Sequence, residues 1–335
     1  MVPVLFPRCR SGWRAAPLRA IRLSVAGLCL SSAALAGPAP KVVADIAPVQ
    51  SLVAIVMAGV GTPSLLVPVD ASPHSLALKP SQARALSEAD FVVWVGPELE
   101  PWLDHPLDSL APDAARLSLL DDGGAEPLPF RQGMAVEGHD DHDDHADHDD
   151  HDDHEGDEHG HHHGDEDPHA WLDPAIGRKW LGAIAAQLAE VDPENAGTYR
   201  ANAEAGQVEL LTLERSVAAE LAPVRDRAFV TGHDAFQYFE HRFGLNWVGS
   251  VAGGDATAPG PRRIAELRDV LAERDVVCAF SDPQVSDKLL RAVIEGTDIR
   301  LGTMDPIGRT LPEGPAHYAA LITGLADALK GCVAE

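Results

Sequence analysis

The chain has 335 residues, 45% of them apolar, and its 52 acidic side chains outnumber 26 basic ones for a formal net charge of −26. That length allows two domains of ordinary size, each with its own core. So acidic a surface repels nucleic acid and anionic lipid and attracts cations, which excludes nucleic-acid binding as a function class. At the amino end, five arginines (Arg8, Arg10, Arg14, Arg19, Arg22) precede a run free of charge that closes on Ala34-Leu35-Ala36. That is the layout of a secretory signal peptide, and the apolar run is short for a membrane span. Residues 1–36 are therefore expected to be removed on export, with cleavage before Gly37.

Beyond the leader, short apolar runs alternate with helical patterns. Lys41 to Ala47, Ser64 to Asp70, Phe91 to Gly96 and Ala115 to Leu120 read as strands. Helices are expected over Gln50 to Ala58, from Pro80, and near Leu99 to Leu110. The second half repeats the alternation, with strands at Ala228 to Thr231, Trp247 to Val251, Val276 to Phe280 and Ile299 to Met304. Helices lie between and after them at Ala235 to Phe243, Pro261 to Glu273, Val285 to Glu295 and His317 to Lys330. Such alternation indicates α/β layering on parallel sheets. Between the halves come two helical stretches, Pro174 to Glu190 and Pro193 to Leu221. The second, at about 1.5 Å per residue, would run roughly 43 Å, a rigid spine unless Gly206 breaks it. The expected organisation is an N-terminal lobe over 37–191, a linking helix over 192–222 and a C-terminal lobe over 223–335.

Residues 137–169 hold 16 of the acidic residues and no Lys or Arg. Within them the histidines recur every third residue from His139 to His154, followed by His159 and His161, His162 and His163. Before Pro168 the tract offers no apolar side chain larger than Ala146, so it buries too little to offset the entropy of ordering and is expected to be a disordered loop, 137–167. Imidazole suits Zn, Cu and Ni, and carboxylates add charge. The tract therefore says metal more firmly than it says which metal.

Three further histidines follow turn residues at strand-to-helix corners: His74 in VDASPHS, His169 in DPHAW and His233 in FVTGHDAF. In open α/β sheets ligands gather at the carboxyl ends of strands. One such histidine would be an ordinary loop residue; three in equivalent places are candidate ligands. His105, His241 and His317 lack ligand neighbours and read as structural or surface residues, and Trp94, Trp102 and Trp171 as core. Outside the leader there are two cysteines, Cys278 and Cys332. In an exported chain they are expected to pair, the alternative being a buried thiol pair.

At these residues the chain resembles a known family. The segments SPHSLALKPSQARALSEADFVVWVGPELE, DPHAWLDP, FVTGHDAFQYFEHRFGL, FSDPQ and GTMDPIG, with the acidic His-rich tract between the first two, are similar to the ZnuA type of zinc-binding protein. These are the periplasmic components of ABC importers whose lobes are joined by a helical backbone. The resemblance covers almost all of the chain after the leader. It implies two α/β lobes, a long rigid helix between them and a Zn²⁺ site in the cleft. It carries His74, His169 and His233 over as ligands and Cys278–Cys332 as the bridge of the C-terminal lobe. It also implies a periplasmic monomer that serves a membrane permease and its ATPase.

The sequence departs from the family at the fourth ligand. Some zinc relatives have a Glu before the first histidine, where this chain has Pro73. Asp282, Asp287 or a water is left to complete a tetrahedral shell, and a carboxylate would lower the cost of burying the dication. Two other readings stay open. The same fold could carry manganese, nickel or copper, although a third nitrogen ligand argues against manganese. A zinc hydrolase also uses three ligands and a water, but no HExxH pattern occurs.

Overall fold

The computed structural model describes residues 37–131, 166–253 and 260–334. The expected signal peptide and the His-rich tract as far as residue 165 lie outside the described residues. The first lobe opens with β1 (Val42–Ala44) and α1 (Ala47–Val56), followed by β2 (Ser64–Leu65), α2 (Pro80–Ser87) and β3 (Phe91–Trp94). It continues through α3 (Asp104–Leu110), β4 (Ala115–Ser118) and the single turn α4 (Leu119–Asp122). All four strands are parallel, in the order β2-β1-β3-β4. β1 and β3 are buried on both faces, which is why VVA and FVVW are apolar without alternation. β2 is shorter than expected: Leu66 and Val67 still donate to Ala44 and Asp45 carbonyls at 2.8 Å each, but Pro68 has no N–H with which to continue.

A helical layer follows, made of α5 (Pro174–Val191) and α6 (Ala196–Leu221). Pro174 starts α5 in the first turn, where its missing N–H costs nothing, and the Asp173 carboxylate caps it from Ala175 N at 2.7 Å. A separate 3-10 turn, Pro193–Asn195, precedes α6, so the continuous helix has 26 residues and is about 39 Å long. Gly206 does not break it. A Cβ there would lie 2.8 Å from Ile55 and 3.0 Å from Leu181, so the glycine is what lets α1 and α5 lie against α6.

The second lobe contains β5 (Phe229–His233), α7 (Gln237–Phe243), β6 (Trp247–Ala252) and α8 (Pro261–Glu273). It is completed by β7 (Cys278–Ser281), α9 (Lys288–Ile294), β8 (Arg300–Thr303) and α10 (His317–Val333). Its sheet is again all parallel, ordered β6-β5-β7-β8, so the two lobes share one topology. α10 returns to pack on α1 and α6 and makes the apolar core continuous between the lobes. Tyr318 on α10 donates to Trp171 O at 2.7 Å, passing over Gly177, where a Cβ would stand 2.5 Å from its hydroxyl. Cys278 and Cys332 form a disulfide between β7 and α10. Among the described residues no helix is long and apolar enough to cross a membrane.

Candidate metal centre

Where strand order reverses in a parallel sheet, the loops at the carboxyl ends part and leave a crevice. In the second lobe that point lies between β5 and β7. His233 is the last residue of β5 and Asp282 follows β7. His233 Nδ1 lies 2.7 Å from Asp282 Oδ2, with both side chains fully buried. The other Asp282 oxygen accepts Gln284 N at 2.7 Å, which fixes the carboxylate behind the ring.

His169 stands at the entry to a 3-10 turn, Ala170–Leu172, and is 1% exposed. Asp167 Oδ1 accepts both His169 N at 3.0 Å and sits 2.7 Å from His169 Nδ1. This is an Asx turn whose carboxylate also orients the ring two residues on. Trp171, 5.1 Å from the His169 ring, walls the site and donates from Nε1 to Pro306 O at 2.7 Å. His74 comes from the irregular loop between β2 and α2 and is the one of the three that is only partly buried. Trp102 Nε1 donates to the carbonyl of Pro73, its neighbour, at 2.7 Å.

The three rings converge. His74, His169 and His233 each offer a ligand atom, all within 4.8 Å of one another. Ring centroids are 5.5 Å apart for His74–His169, 5.6 Å for His74–His233 and 5.2 Å for His169–His233. Nitrogens about 2.0–2.1 Å from one ion stand roughly 3.4 Å apart in a tetrahedral shell, so closing on an ion takes less than about 1 Å of adjustment per ring. Since Nδ1 of His169 and of His233 faces a carboxylate, Nε2 is the nitrogen each ring can give to an ion. Burial, and then the neighbouring His233, hold the His169 imidazole well below its ordinary pKa, so it is neutral and has a lone pair to offer.

Asp282, the candidate fourth ligand, has its two oxygens against His233 Nδ1 and Gln284 N, so in this structure it supports the His233 ring. Asp287 is drawn away to Arg291, 2.6 Å from its Nε.

Sequence reasoning missed Asp167, counted there only as one more acid of the tract, although its place two residues before a histidine is an Asx-turn signal. It also missed Arg131. That guanidinium lies 3.4 Å over the Trp247 ring, 2.6 Å from Glu240 Oε2, and bonds Asp234, the residue after His233. Burial raises Glu240 to about 8 and Asp167 to about 7. Arg131 is thus the cation set among the acids behind the histidines. His317, expected to be structural or at the surface, is buried with its ring nitrogens 2.8 Å from Ile307 O and 3.2 Å from Pro312 O. His105 and His241 are remote from the cluster. A groove of about 930 Å³ at the amino ends of β7 and β8, lined by Arg227, Arg268, Asp275 and Glu295 among others, lies at the far end of the sheet from His233.

Comparison with known proteins agrees with this geometry. The model of the ZnuA family, described as zinc-uptake complex component A, periplasmic, matches residues 42–332. The high-affinity zinc uptake system protein ZnuA of Brucella suis is 44% identical over 323 residues, covering 93% of this chain and 96% of that protein. Its counterpart in Paracoccus denitrificans is 42% identical over 315 residues, covering 91% and 95%. In fold, the chain is similar to a crystal structure of ZnuA with a TM-score of 0.71 at 23% identity, covering 88% of this chain and 99% of that one.

Proposed function

Because this chain belongs to the ZnuA family of zinc-uptake components, we propose that it captures Zn²⁺ in the periplasm and delivers it to a membrane permease driven by a cytoplasmic ATPase. His74, His169 and His233 are the ligands, and a water is the fourth. One observation carries the assignment: three imidazoles from segments far apart in the chain meet within 4.8 Å, two of them backed by buried carboxylates. Neutral nitrogen donors favour zinc over harder ions such as manganese. Asp167 and Asp282 fix ring orientation, raise ligand basicity and offset the charge of a buried dication. The ion is held here as a carrier's cargo and not as an enzyme's centre, in keeping with the zinc-uptake family. The export signal over 1–36 puts the chain in the compartment where this capture takes place.

The test is metal analysis of protein purified from cells grown without added zinc, followed by chelator-competition titration. One tightly held equivalent of zinc is expected, lost in His169→Ala; nickel, copper or manganese in its place, or no change in the variant, overturns the assignment. Protons compete with the ion for imidazole, so affinity falls with falling pH. Because His169 is held below its ordinary value, the fall is expected below the free-imidazole pKa of about 6.5. For the His-rich tract we propose an accessory role in concentrating zinc at several weaker sites. Deleting residues 139–163 is then expected to preserve the tight equivalent and remove the weak ones.

A further inference from the structure

The three ligand corners are not equally held. His169 and His233 are fixed by buried carboxylates, but His74 rides on a loop without regular structure between β2 and α2. Two side chains from outside hold backbone carbonyls of its stretch from Asp70 to His74. Trp102 holds Pro73 O from within the same lobe. The other is Arg309, whose terminal nitrogen donates to Asp70 O at 2.8 Å, four residues before His74.

Arg309 has a rigid seat. Its N–H donates to Asp305 Oδ2 at 2.6 Å, while Asp305 Oδ1 accepts Ile307 N and Gly308 N at 3.1 Å each. The turn GTMDPIG is therefore wound around one carboxylate, and Gly308 supplies the positive φ of 70° that it needs. His317 backs this turn through Ile307 O. From there the second terminal nitrogen donates to Pro283 O at 2.6 Å, the residue after Asp282 that orients His233. One planar fork thus holds two backbone carbonyls, one beside each of two ligand corners and one from each lobe. A lysine, with its single point of charge, cannot span both.

We propose that Arg309 is a positioning residue for metal retention: a strut that sets the His74 loop against the His233–Asp282 pair. This rests on the zinc-binding role proposed above. Arg309 then slows release by keeping the His74 loop in place through its bond to Asp70, the one that joins the lobes.

The experiment is stopped-flow zinc capture and zinc release into excess chelator, on the full exported protein. Arg309→Ala is expected to release zinc about five- to tenfold faster, as befits loss of one charge-assisted bond, while capture changes less than about twofold. Arg309→Lys is expected to recover part of the loss. In a His74→Ala background, Arg309→Ala is expected to add much less than it does in wild type, because residues acting through one another are not additive and only its hold on Pro283 remains. Release at the wild-type rate in Arg309→Ala, or a full additional effect in the His74→Ala background, overturns the proposal. A fall in the melting temperature of the metal-free protein, matched by equal slowing of capture, overturns it too, in favour of a merely structural arginine. If the wild-type protein holds no zinc, or holds it unchanged in His169→Ala, the function itself fails instead.

Discussion

The two lobes have the same strand order, and their crevices are furnished differently. Between β5 and β7 the second lobe places an imidazole against a carboxylate, His233 on Asp282. At the corresponding point between β1 and β3 the first lobe places two carboxyl groups together, Asp45 and Glu100, both 0% exposed. Asp45 satisfies itself by accepting Ile46 N and Val95 N at 2.6 Å each. Neither Glu100 oxygen meets a hydrogen-bond donor of the backbone. Burial raises both groups, Asp45 to about 7. One topology therefore yields two outcomes. A His–Asp pair leaves one ring nitrogen for an ion, while an acid pair that burial keeps protonated lacks the negative charge a cation seeks until it loses its proton.

The contrast can be broken most forcefully at His233. His233→Ala is expected to weaken zinc binding by roughly 10²–10³-fold, one ligand's share of the about 10–16 kcal/mol that a structural zinc site supplies. His74→Ala, on the looser loop, is expected to cost about tenfold less, and equal losses in a side-by-side titration would erase the difference between the corners. Next is the disulfide, a staple seen in the second lobe, which closes a span of 54 residues. Cys278→Ser with Cys332→Ser is expected to lower the free energy of unfolding by about 3–4 kcal/mol in a urea titration. Asp282→Ala removes the carboxylate and not the ligand, so a 10–100-fold loss of affinity is expected, with the zinc stoichiometry kept.

The smallest effect belongs to the acid pair. An acid protonated in the fold and ionised in the unfolded chain contributes stability that is full below its ordinary pKa and is lost as pH rises toward the folded value. For Asp45 that window runs from 3.8 to about 7. Glu100→Gln removes one of the two buried acids and puts a neutral amide in its place. The melting temperature of metal-free protein is then expected to decline less between pH 4 and 7 in Glu100→Gln than in wild type. His169, buried neutral, acts in the opposite sense on the acid side, and subtracting one profile from the other isolates the pair.

Apolar runs such as Phe91–Trp94 announce buried parallel strands because both faces are covered, and the order of elements follows from them. The three histidines were legible because each follows a turn residue at the end of a strand or beside the tract. What supports them was not. Asp282 reads equally well as ligand or as support, since the choice depends on which way two oxygens face. Arg131 and Arg309 act across 103 and 239 residues of sequence, on Asp234 and on the carbonyl of Asp70, and nothing near either arginine marks its partner. The break before α6 was missed because Pro193 is as fit to open a 3-10 turn as an α-helix.

The two strands of chain that flank the His-rich tract are sewn to each other and to α7. Pro129 and Glu166 form an antiparallel bridge, Asp167 N donates to Leu128 O at 2.8 Å, and Leu128 N donates to the Tyr238 hydroxyl at 2.8 Å, which itself donates to Asp167 O. Entry and exit are thus pinned side by side, and each doubling of the intervening length adds only about 0.6 kcal/mol of closure entropy. Repeats of the histidine–aspartate triplet can therefore be gained or shed between these two pinned ends at little cost, and the number of imidazoles there can change without moving the three-histidine cluster.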